Sequence, residues 1–264
     1  MLIREPSGGP ELLSRGLALT GHYELHVTRR PMTGDGWVRW PDLTSAATLR
    51  KLEDEAARRY GGDTPEQHAI GLGLTVGGIA SALGFALTGA LCVGDRAVRL
   101  KSPGLAVHQT PEGVDALAVC PTAVAVVDDP GCADQVTATG YAELVTPLLR
   151  GVVPLLRRSL RTVWVDAADR LVSALFRNSH ALRRGDAAVR ADRLLCHLPD
   201  AMRHRIRVMD VRCGEATVVW KRRAVCCFSH RTVQSGGKLC ATCPRLPSGE
   251  SAGRVAEWLS SLEP

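Results

Sequence analysis

The stretch AVCCFSHRTVQSGGKLCATCP, residues 224–244, contains four of the nine cysteines and decides how this part of the chain folds. The four are Cys226, Cys227, Cys240 and Cys243. A Cys-x-x-Cys turn such as Cys240 to Cys243 directs two thiolates toward one centre. A second cysteine pair nearby completes a four-thiolate set, which suits either tetrahedral zinc or an iron-sulfur cluster. The stretch therefore predicts a metal centre.

The adjacent pair Cys226–Cys227 separates these two kinds of centre only in part. Structural zinc sites are usually built from two Cys-x-x-Cys knuckles, and neighbouring cysteines cannot form such a knuckle. Two irons present a wider target, so the pair favours a [2Fe-2S] cluster and leaves zinc open. His230 lacks the Cys-x-His arrangement of a Rieske centre, and we expect it to lie outside the ligand set. Cys213 is the one other cysteine to consider as an alternative ligand.

The twelve-residue loop between the cysteine pairs, residues 228–239, is long enough to wrap a cluster. Gly236 and Gly237 would allow backbone N–H groups to approach the sulfurs, as hydrogen bonds to sulfur tune such clusters. Arg231 and Lys238 are candidates to offset the negative charge of the cluster. The alternative for each cation is an ordinary solvated side chain.

Composition narrows the class of protein. The chain of 264 residues carries 33 basic and 27 acidic residues, a formal charge of +6, and only 4% aromatic residues. Interspersed charge with few aromatics argues against a nucleic-acid partner. The N-terminal residues 1–16 show no apolar secretory signal, so we expect a reducing cytoplasm, where clustered cysteines indicate metal or redox chemistry more often than disulfides.

Periodicity along the chain predicts an α+β fold. Residues 43–60 form an amphipathic helix, capped by Thr44 or Ser45, and short strands are expected at residues 22–27 and 36–40. Residues 69–93 contain no charged side chain and are long enough to span a membrane. Their many glycines instead favour buried, glycine-interrupted helices and at most a peripheral membrane contact.

The second half predicts a sheet followed by helices. Short apolar runs between residues 95 and 128 indicate a small antiparallel sheet, and residues 139–198 are helical. The predicted organisation is therefore a mostly helical α+β domain with a small antiparallel sheet over residues 1–210, a short cluster-binding segment over 211–246, and a linker with a short terminal helix over 247–264.

The order Cys-Cys, loop, Cys-x-x-Cys, preceded by basic residues in KRRAVCC (221–227), resembles the ferric-siderophore reductases of the FhuF type. The spacer here is slightly longer than in that family, and residues 141–176 are similar to its helical pair. The resemblance implies a [2Fe-2S] cluster with the four cysteines of residues 226–243 as iron ligands: Cys226, Cys227, Cys240 and Cys243.

The function implied by this resemblance is reduction of a ferric siderophore, with the hydroxamate type among the expected substrates. One electron passes from the [2Fe-2S] cluster to siderophore-bound Fe(III), and Fe(II) is released for the cell. A ferredoxin or another reductase would supply the electron, and no catalytic residue is expected beyond the cluster. The alternatives are an iron-sulfur carrier or sensor without its own substrate, and a structural zinc protein.

The siderophore contacts are the least defined part of this prediction. Arg157, Arg158 and Arg161, together with Trp164, are candidates to line a pocket. The alternative is a solvated basic face and a core tryptophan.

Overall fold

Helices make up most of the fold, as the sequence predicts. The computed structural model describes residues 3–4 and 8–261. Within these ranges the helices are α1 (Gly9–Ala18), α2 (Ala46–Tyr60), α3 (Pro65–Gly94), α4 (Ala133–Val152), α5 (Leu160–Ala181), α6 (Ala187–His197) and α7 (Ser248–Ser260). The cap of α2 is Ser45, whose side chain accepts a hydrogen bond from the Thr48 N–H at 3.1 Å. Gly61, at a φ of 66°, ends this helix.

The strands form three small sheets. They are β1 (Ile3–Arg4), β2 (Glu24–Val27), β3 (Trp37–Arg39), β4 (Ala97–Leu100), β5 (Leu105–Thr110), β6 (Gly113–Val119), β7 (Val124–Val127), β8 (Arg207–Cys213) and β9 (Ala216–Arg222). The orders are β1-β7-β4, β2-β6-β5-β3 and the hairpin β8-β9. All pairings are antiparallel except that of β2 with β6.

The predicted antiparallel sheet at residues 95–128 is confirmed as strands β4 to β7, but these strands divide between two sheets. The 3₁₀ turns Ser102–Gly104 and Pro121–Ala123 each redirect the chain between them. Each turn contains a proline, which fixes φ and withholds a ladder donor. The short strands predicted at 22–27 and 36–40 are β2 and β3, which complete the second sheet.

The uncharged stretch forms the single helix α3, where the sequence predicted several glycine-interrupted helices. Glycine costs only about 1 kcal/mol in a helix interior, and burial of the surrounding apolar residues offsets that cost. Helix α3 contacts α1, α2, α4 and α5 and strands β4 and β6. It is long and apolar enough to cross a membrane, yet 83% of its most apolar window is buried inside the fold. It therefore packs as the central core helix.

A glycine pair sets how closely α1 crosses α3. A Cβ atom on Gly16 would lie 2.6 Å from the backbone of Gly89 and Ala90. A Cβ on Gly89 would equally lie 2.6 Å from the backbone of Gly16. The two helices therefore approach at a distance that only glycine permits.

Helix α5 lies against α3, and buried polar contacts fix its position. The Asn178 side-chain amide donates to the Phe85 carbonyl at 3.1 Å and to the Thr88 hydroxyl at 2.9 Å. Tyr141 of α4 donates to the Ala167 carbonyl at 2.7 Å. The apolar residues of α5 that recur at spacings of three and four are buried: Trp164, Ala168, Leu171, Val172 and Leu175.

The C-terminal elements pack on the same core. The short terminal helix predicted within residues 247–264 is α7, which begins at Ser248 and takes up most of that range. Its Val255 and Leu259 are buried, and the Trp258 ring lies 5.6 Å from that of Trp220 on β9. Strand β8 runs across residue 210, the first predicted boundary, and the division into 1–210, 211–246 and 247–264 stays a prediction.

Candidate functional site

The four cysteines of the opening stretch converge beyond the end of β9. Their thiols approach in two pairs, Cys226 with Cys243 and Cys227 with Cys240. Each pair joins one member of the adjacent cysteines to one member of the Cys-x-x-Cys turn. Cys227 and Cys243 are buried, whereas Cys226 and Cys240 are half-buried.

The chain folds this way because two tight turns direct the thiols inward. Phe228 has a φ of 61°, which reverses the chain directly after Cys227, and its N–H lies 3.4 Å from the Cys226 sulfur. In the second turn the Cys243 N–H donates to the Cys240 carbonyl at 3.0 Å. Both turns therefore aim their sulfurs at one region.

Phe228, and not Gly236 as predicted, donates a backbone hydrogen bond to a cysteine sulfur. Gly236 and Gly237 take left-handed conformations, with φ of 56° and 82°. The Gly236 N–H donates to the Val233 carbonyl at 3.1 Å rather than to a sulfur. The glycines therefore shape the loop, and the backbone donor to sulfur comes from the residue after the cysteine pair.

The thiols ionise unequally because they lie close together. The hydrogen bond from Cys240 lowers the pKa of Cys227 to about 4, burial opposes this shift, and the Arg223 guanidinium strengthens it. The same hydrogen bond and burial raise the pKa of Cys240. Burial also raises the pKa of Cys226. Within the pair formed with Cys240, Cys227 is therefore the thiol that becomes a thiolate first.

Two arginines supply the positive charge near the thiols. The Arg158 Nη2 atom donates to the Cys227 carbonyl at 2.6 Å, and its guanidinium lies 5.0 Å from the Phe228 ring centre. Arg223 is buried at 8% exposure and interacts electrostatically with Cys227 and Cys240. Both cations come from outside the loop.

The predicted loop cations make other contacts. Arg231 pairs with Glu66 of α3, and its guanidinium lies 5.6 Å from the Phe228 ring centre, whereas Lys238 is exposed. The Arg245 Nη1 atom lies 2.9 Å from His230 Nε2. Because arginine can only donate, that ring nitrogen accepts. The Nε2 atom of His230 is thus engaged in a hydrogen bond with Arg245.

A buried ion network supports the site from beneath. Asp166 and Asp169 lie one helical turn apart on α5, while Lys221 and Arg223 lie two residues apart on one face of the strand end. Asp166 bonds Arg223, and the Lys221 Nζ atom lies 2.5 Å from Asp169 Oδ1. Burial lowers the pKa of Lys221 to about 8 against the pull of Asp169. The network anchors β9 just before the cysteines.

This network was not predicted from the sequence, although a signal was present. Lys221 and Arg223 are two residues apart at a strand end, and Asp166 and Asp169 are three apart on a helix, so each pair places two like charges on one face. Such faces inside otherwise apolar elements indicate buried ion pairs.

Helix α7 holds the Cys-x-x-Cys turn from the other side. The Ser251 hydroxyl donates to the Ala241 carbonyl at 2.6 Å. The Arg254 Nη1 atom donates to the Leu239 carbonyl at 2.7 Å. The helix that follows the cysteines thus fixes the backbone that carries two of them.

A cavity of about 380 Å³ borders the Cys-x-x-Cys turn and opens to solvent. Ala241 and Thr242, the two residues between Cys240 and Cys243, form one wall. The cavity lies between α3, α5, β9 and α7, and aromatic rings and cations line the rest of it. These lining residues include Tyr23, Phe85, Arg170, Arg177, Trp220 and Trp258.

The predicted siderophore contacts lie outside this cavity. Arg158 contacts the cysteine segment, and Trp164 is a core residue at 8% exposure. Arg161 donates to the carbonyls of residues 200, 201 and 203, and Arg157 is exposed. Cys213, the alternative ligand, ends β8 and packs against the core.

The donor set suits an iron-sulfur cluster. Four thiols in two facing pairs can supply the four thiolates of such a cluster, and a thiol of lowered pKa and two nearby guanidinium groups favour the thiolate form. Among residues 3–4 and 8–261, no group of three or more His, Cys, Asp or Glu side chains is arranged to hold one metal ion.

Residues 223–245 match the family model described as the FhuF 2Fe-2S C-terminal domain. No curated protein matches the chain. The match covers the cysteine segment, begins at Arg223 and ends two residues after Cys243. It confirms the resemblance given by the cysteine pattern, and the cofactor of this segment is a [2Fe-2S] cluster.

Proposed function

We propose that this protein is a ferric-siderophore reductase. The observation that carries the proposal is the 2Fe-2S domain match at 223–245, together with a cationic cavity whose wall is the Cys-x-x-Cys turn. The net reaction moves one electron from a separate donor to siderophore-bound Fe(III). The products are oxidised donor, Fe(II) and the free siderophore, because hard oxygen ligands hold Fe(II) poorly.

The ligands in this proposal are Cys226, Cys227, Cys240 and Cys243. The contacts pair each adjacent cysteine with a different member of the Cys-x-x-Cys turn, which is the distribution that two irons need. When bound, the cluster supplies a one-electron couple. The adjacent pair that would crowd a single zinc ion thus serves two metal ions.

The protein residues around the cluster have two tasks in this proposal. Arg158 and Arg223 offset the negative charge that a reduced cluster gains, which favours acceptance of the electron. Burial of Cys227 and Cys243 keeps water from two of the sulfurs. The electron transfer itself moves no proton, and the released siderophore takes up its protons from water, so no side chain is required to move one.

The test is anaerobic reduction of the purified protein, followed by mixing with ferric siderophores of different chelating groups. Visible and electron paramagnetic resonance spectra report the cluster, and a ferrous chelator reports Fe(II). We expect the reduced-cluster signal to disappear as Fe(II) appears, with one Fe(II) formed for each electron lost.

Two other outcomes would contradict the proposal. A cluster that cycles with chemical reductants but speeds iron release from no siderophore would indicate an electron carrier or sensor. A colourless protein with one zinc and no acid-labile sulfide would indicate a structural zinc module.

A further inference from the structure

We propose that the cavity beside the Cys-x-x-Cys turn is the substrate site and selects ferric complexes that carry net negative charge. The site would thus favour catecholate or hydroxycarboxylate complexes over neutral tris-hydroxamate complexes. This inference rests on the proposed reductase function and deepens it, because it names the residues and the charge class.

The first argument is the charge of the cavity. Arg170, Arg177, Lys221 and Arg223 line it, and the carboxylates of Asp166 and Asp169 that pair with three of these cations lie beneath it. Lys221 forms an ion pair with Asp169, and Arg223 forms one with Asp166. The cavity therefore retains positive charge on its α5 wall.

Arg177 supplies that uncompensated charge. Arg177 forms no ion pair with a carboxylate among residues 3–4 and 8–261, and burial lowers its pKa. Arg170 keeps a long ion pair, 3.7 Å, with Asp166, which also bonds Arg223. An anion that enters the cavity would therefore meet in Arg177 a guanidinium with no carboxylate partner, to which it could bind through charge-assisted hydrogen bonds.

Gly77 of α3 makes room for Arg170. A Cβ atom at this position would lie 2.7 Å from the Arg170 Nη2 atom. Glycine at this position therefore leaves room for the Arg170 guanidinium beside α3. The side chain can reach the cavity without displacing the helix.

The second argument is the aromatic lining. The Arg177 guanidinium lies 4.4 Å from the Trp258 ring centre and 5.5 Å from that of Phe85. Aromatic faces hold a guanidinium by cation–π attraction while its N–H edge stays free to donate. Tyr23 and Trp220 add apolar surface, which suits the aromatic or aliphatic body of a chelator.

The third argument is the position of the cavity relative to the cysteines. Thr242 lines the cavity, and its backbone carbonyl accepts a hydrogen bond from the Arg223 backbone N–H at 3.0 Å. It lies between Cys240 and Cys243 in sequence. A complex seated in the cavity would therefore contact the loop that carries two ligands, which is the placement that direct electron transfer needs.

The experiment measures binding without electron transfer, using gallium(III) complexes, which cannot be reduced under these conditions. Isothermal titration calorimetry on the cluster-loaded protein compares an anionic gallium tris-catecholate with a neutral gallium tris-hydroxamate. We expect the anionic complex to bind at least tenfold more tightly at low salt, and the difference to shrink as salt screens the charges.

Variants then locate the site. Arg177→Gln should weaken binding of the anionic complex about tenfold and change binding of the neutral complex little. Arg177→Lys, which keeps the charge and loses the planar fork, should lie between. The matched control Arg99→Gln removes one charge at an exposed surface pair with Glu143 and should leave both affinities unchanged.

Several outcomes would overturn the assignment. These are equal or tighter binding of the neutral complex, unchanged affinity in folded Arg177→Gln, or no binding of either complex. If Arg177→Gln loses its cluster spectrum, the salt dependence of the wild-type protein decides instead, and its absence rejects the site.

The assignment and the proposed function can fail separately. Binding of the gallium complex that depends on Arg177, without reduction of the ferric analogue, would sustain the cavity and reject the reductase. Reduction of the ferric complex with KM unchanged in Arg177→Gln would sustain the reductase and reject the cavity.

Discussion

The Lys221 ammonium lies 2.5 Å from Asp169 Oδ1, and both side chains are only 2% exposed. This pair fastens β9 to α5 directly before the cysteine segment. Since neither charge meets solvent, each depends on the other for compensation, and the segment depends on both for its position.

Breaking this pair should cost more than removing a surface pair. Asp169→Asn leaves the Lys221 charge buried, and we expect a loss of about 3–5 kcal/mol in the free energy of unfolding. Denaturant unfolding measures it. The control is the exposed Arg99–Glu143 pair, where Glu143→Gln should cost about 1 kcal/mol or less. Equal losses would show that the buried pair is not a structural anchor.

Both adjacent cysteines, Cys226 and Cys227, should be needed for the cluster. Cys226→Ser and Cys227→Ser each remove one thiolate, from a different facing pair, so we expect an altered or absent visible spectrum and less bound iron and sulfide in either variant. Cys196→Ser is the matched control, because Cys196 is exposed on α6. A normal cluster in both single variants would reject these residues as ligands.

Arg158 should raise the reduction potential of the cluster. Arg158→Gln removes a positive charge bound to the Cys227 carbonyl, which destabilises the reduced form. We expect a fall on the order of 60 mV, equivalent to tenfold in a one-electron equilibrium. Lys238→Gln removes an exposed charge from the loop between the cysteine pairs and should shift the potential less. A redox titration followed by absorbance compares them.

The crossing of α1 and α3 should not tolerate a methyl group. Gly89→Ala places a Cβ atom 2.6 Å from the Gly16 backbone, and such overpacking typically costs about 1–3 kcal/mol. Gly140→Ala is the control, because no atom lies within 4 Å of its added Cβ. That change should raise stability by up to about 1 kcal/mol. Thermal unfolding distinguishes the two, and a stable Gly89→Ala protein would contradict the close crossing.

His108 should titrate above its ordinary range. Its Nδ1 atom lies 2.7 Å from Asp115 and its Nε2 atom 2.8 Å from the Asp35 carbonyl. Burial lowers the pKa of His108, but the two hydrogen bonds raise it by more. The pKa of His108 is therefore raised overall. A raised folded-state pKa stabilises the fold fully below pH 6.5, and this contribution is lost as pH rises through the raised value.

The Asp115→Asn variant isolates this effect. We expect a lower His108 pKa in an NMR titration, and a stability deficit against wild type that is larger at pH 6 than at pH 8. A deficit that is the same at both values would show that the pair does not depend on the protonated ring.

The sequence was sufficient where one local pattern determines the outcome. The Ser45 cap, the apolar face of α5 and the cysteine spacing each act over a few residues, and the structure and the domain match bear them out. The single helix at Pro65–Gly94 was misjudged because glycine is costly only when packing does not replace what it lacks.

The surroundings of the cysteines depend on contacts distant in sequence. Arg158 and Cys227 are 69 residues apart, and Asp169 and Lys221 are 52 apart. No local periodicity reports which cation reaches which carboxylate. For this reason the sequence placed the compensating charge on Arg231 and Lys238, whereas tertiary packing places it on Arg158 and Arg223.

The hold of α7 on the Cys-x-x-Cys turn extends the cysteine site beyond the matched residues 223–245. The helix follows Cys243 in the chain, and its Ser251 and Arg254 side chains donate to the backbone on either side of Cys240. A change that loosens α7 therefore also loosens the backbone that carries two of the four thiols.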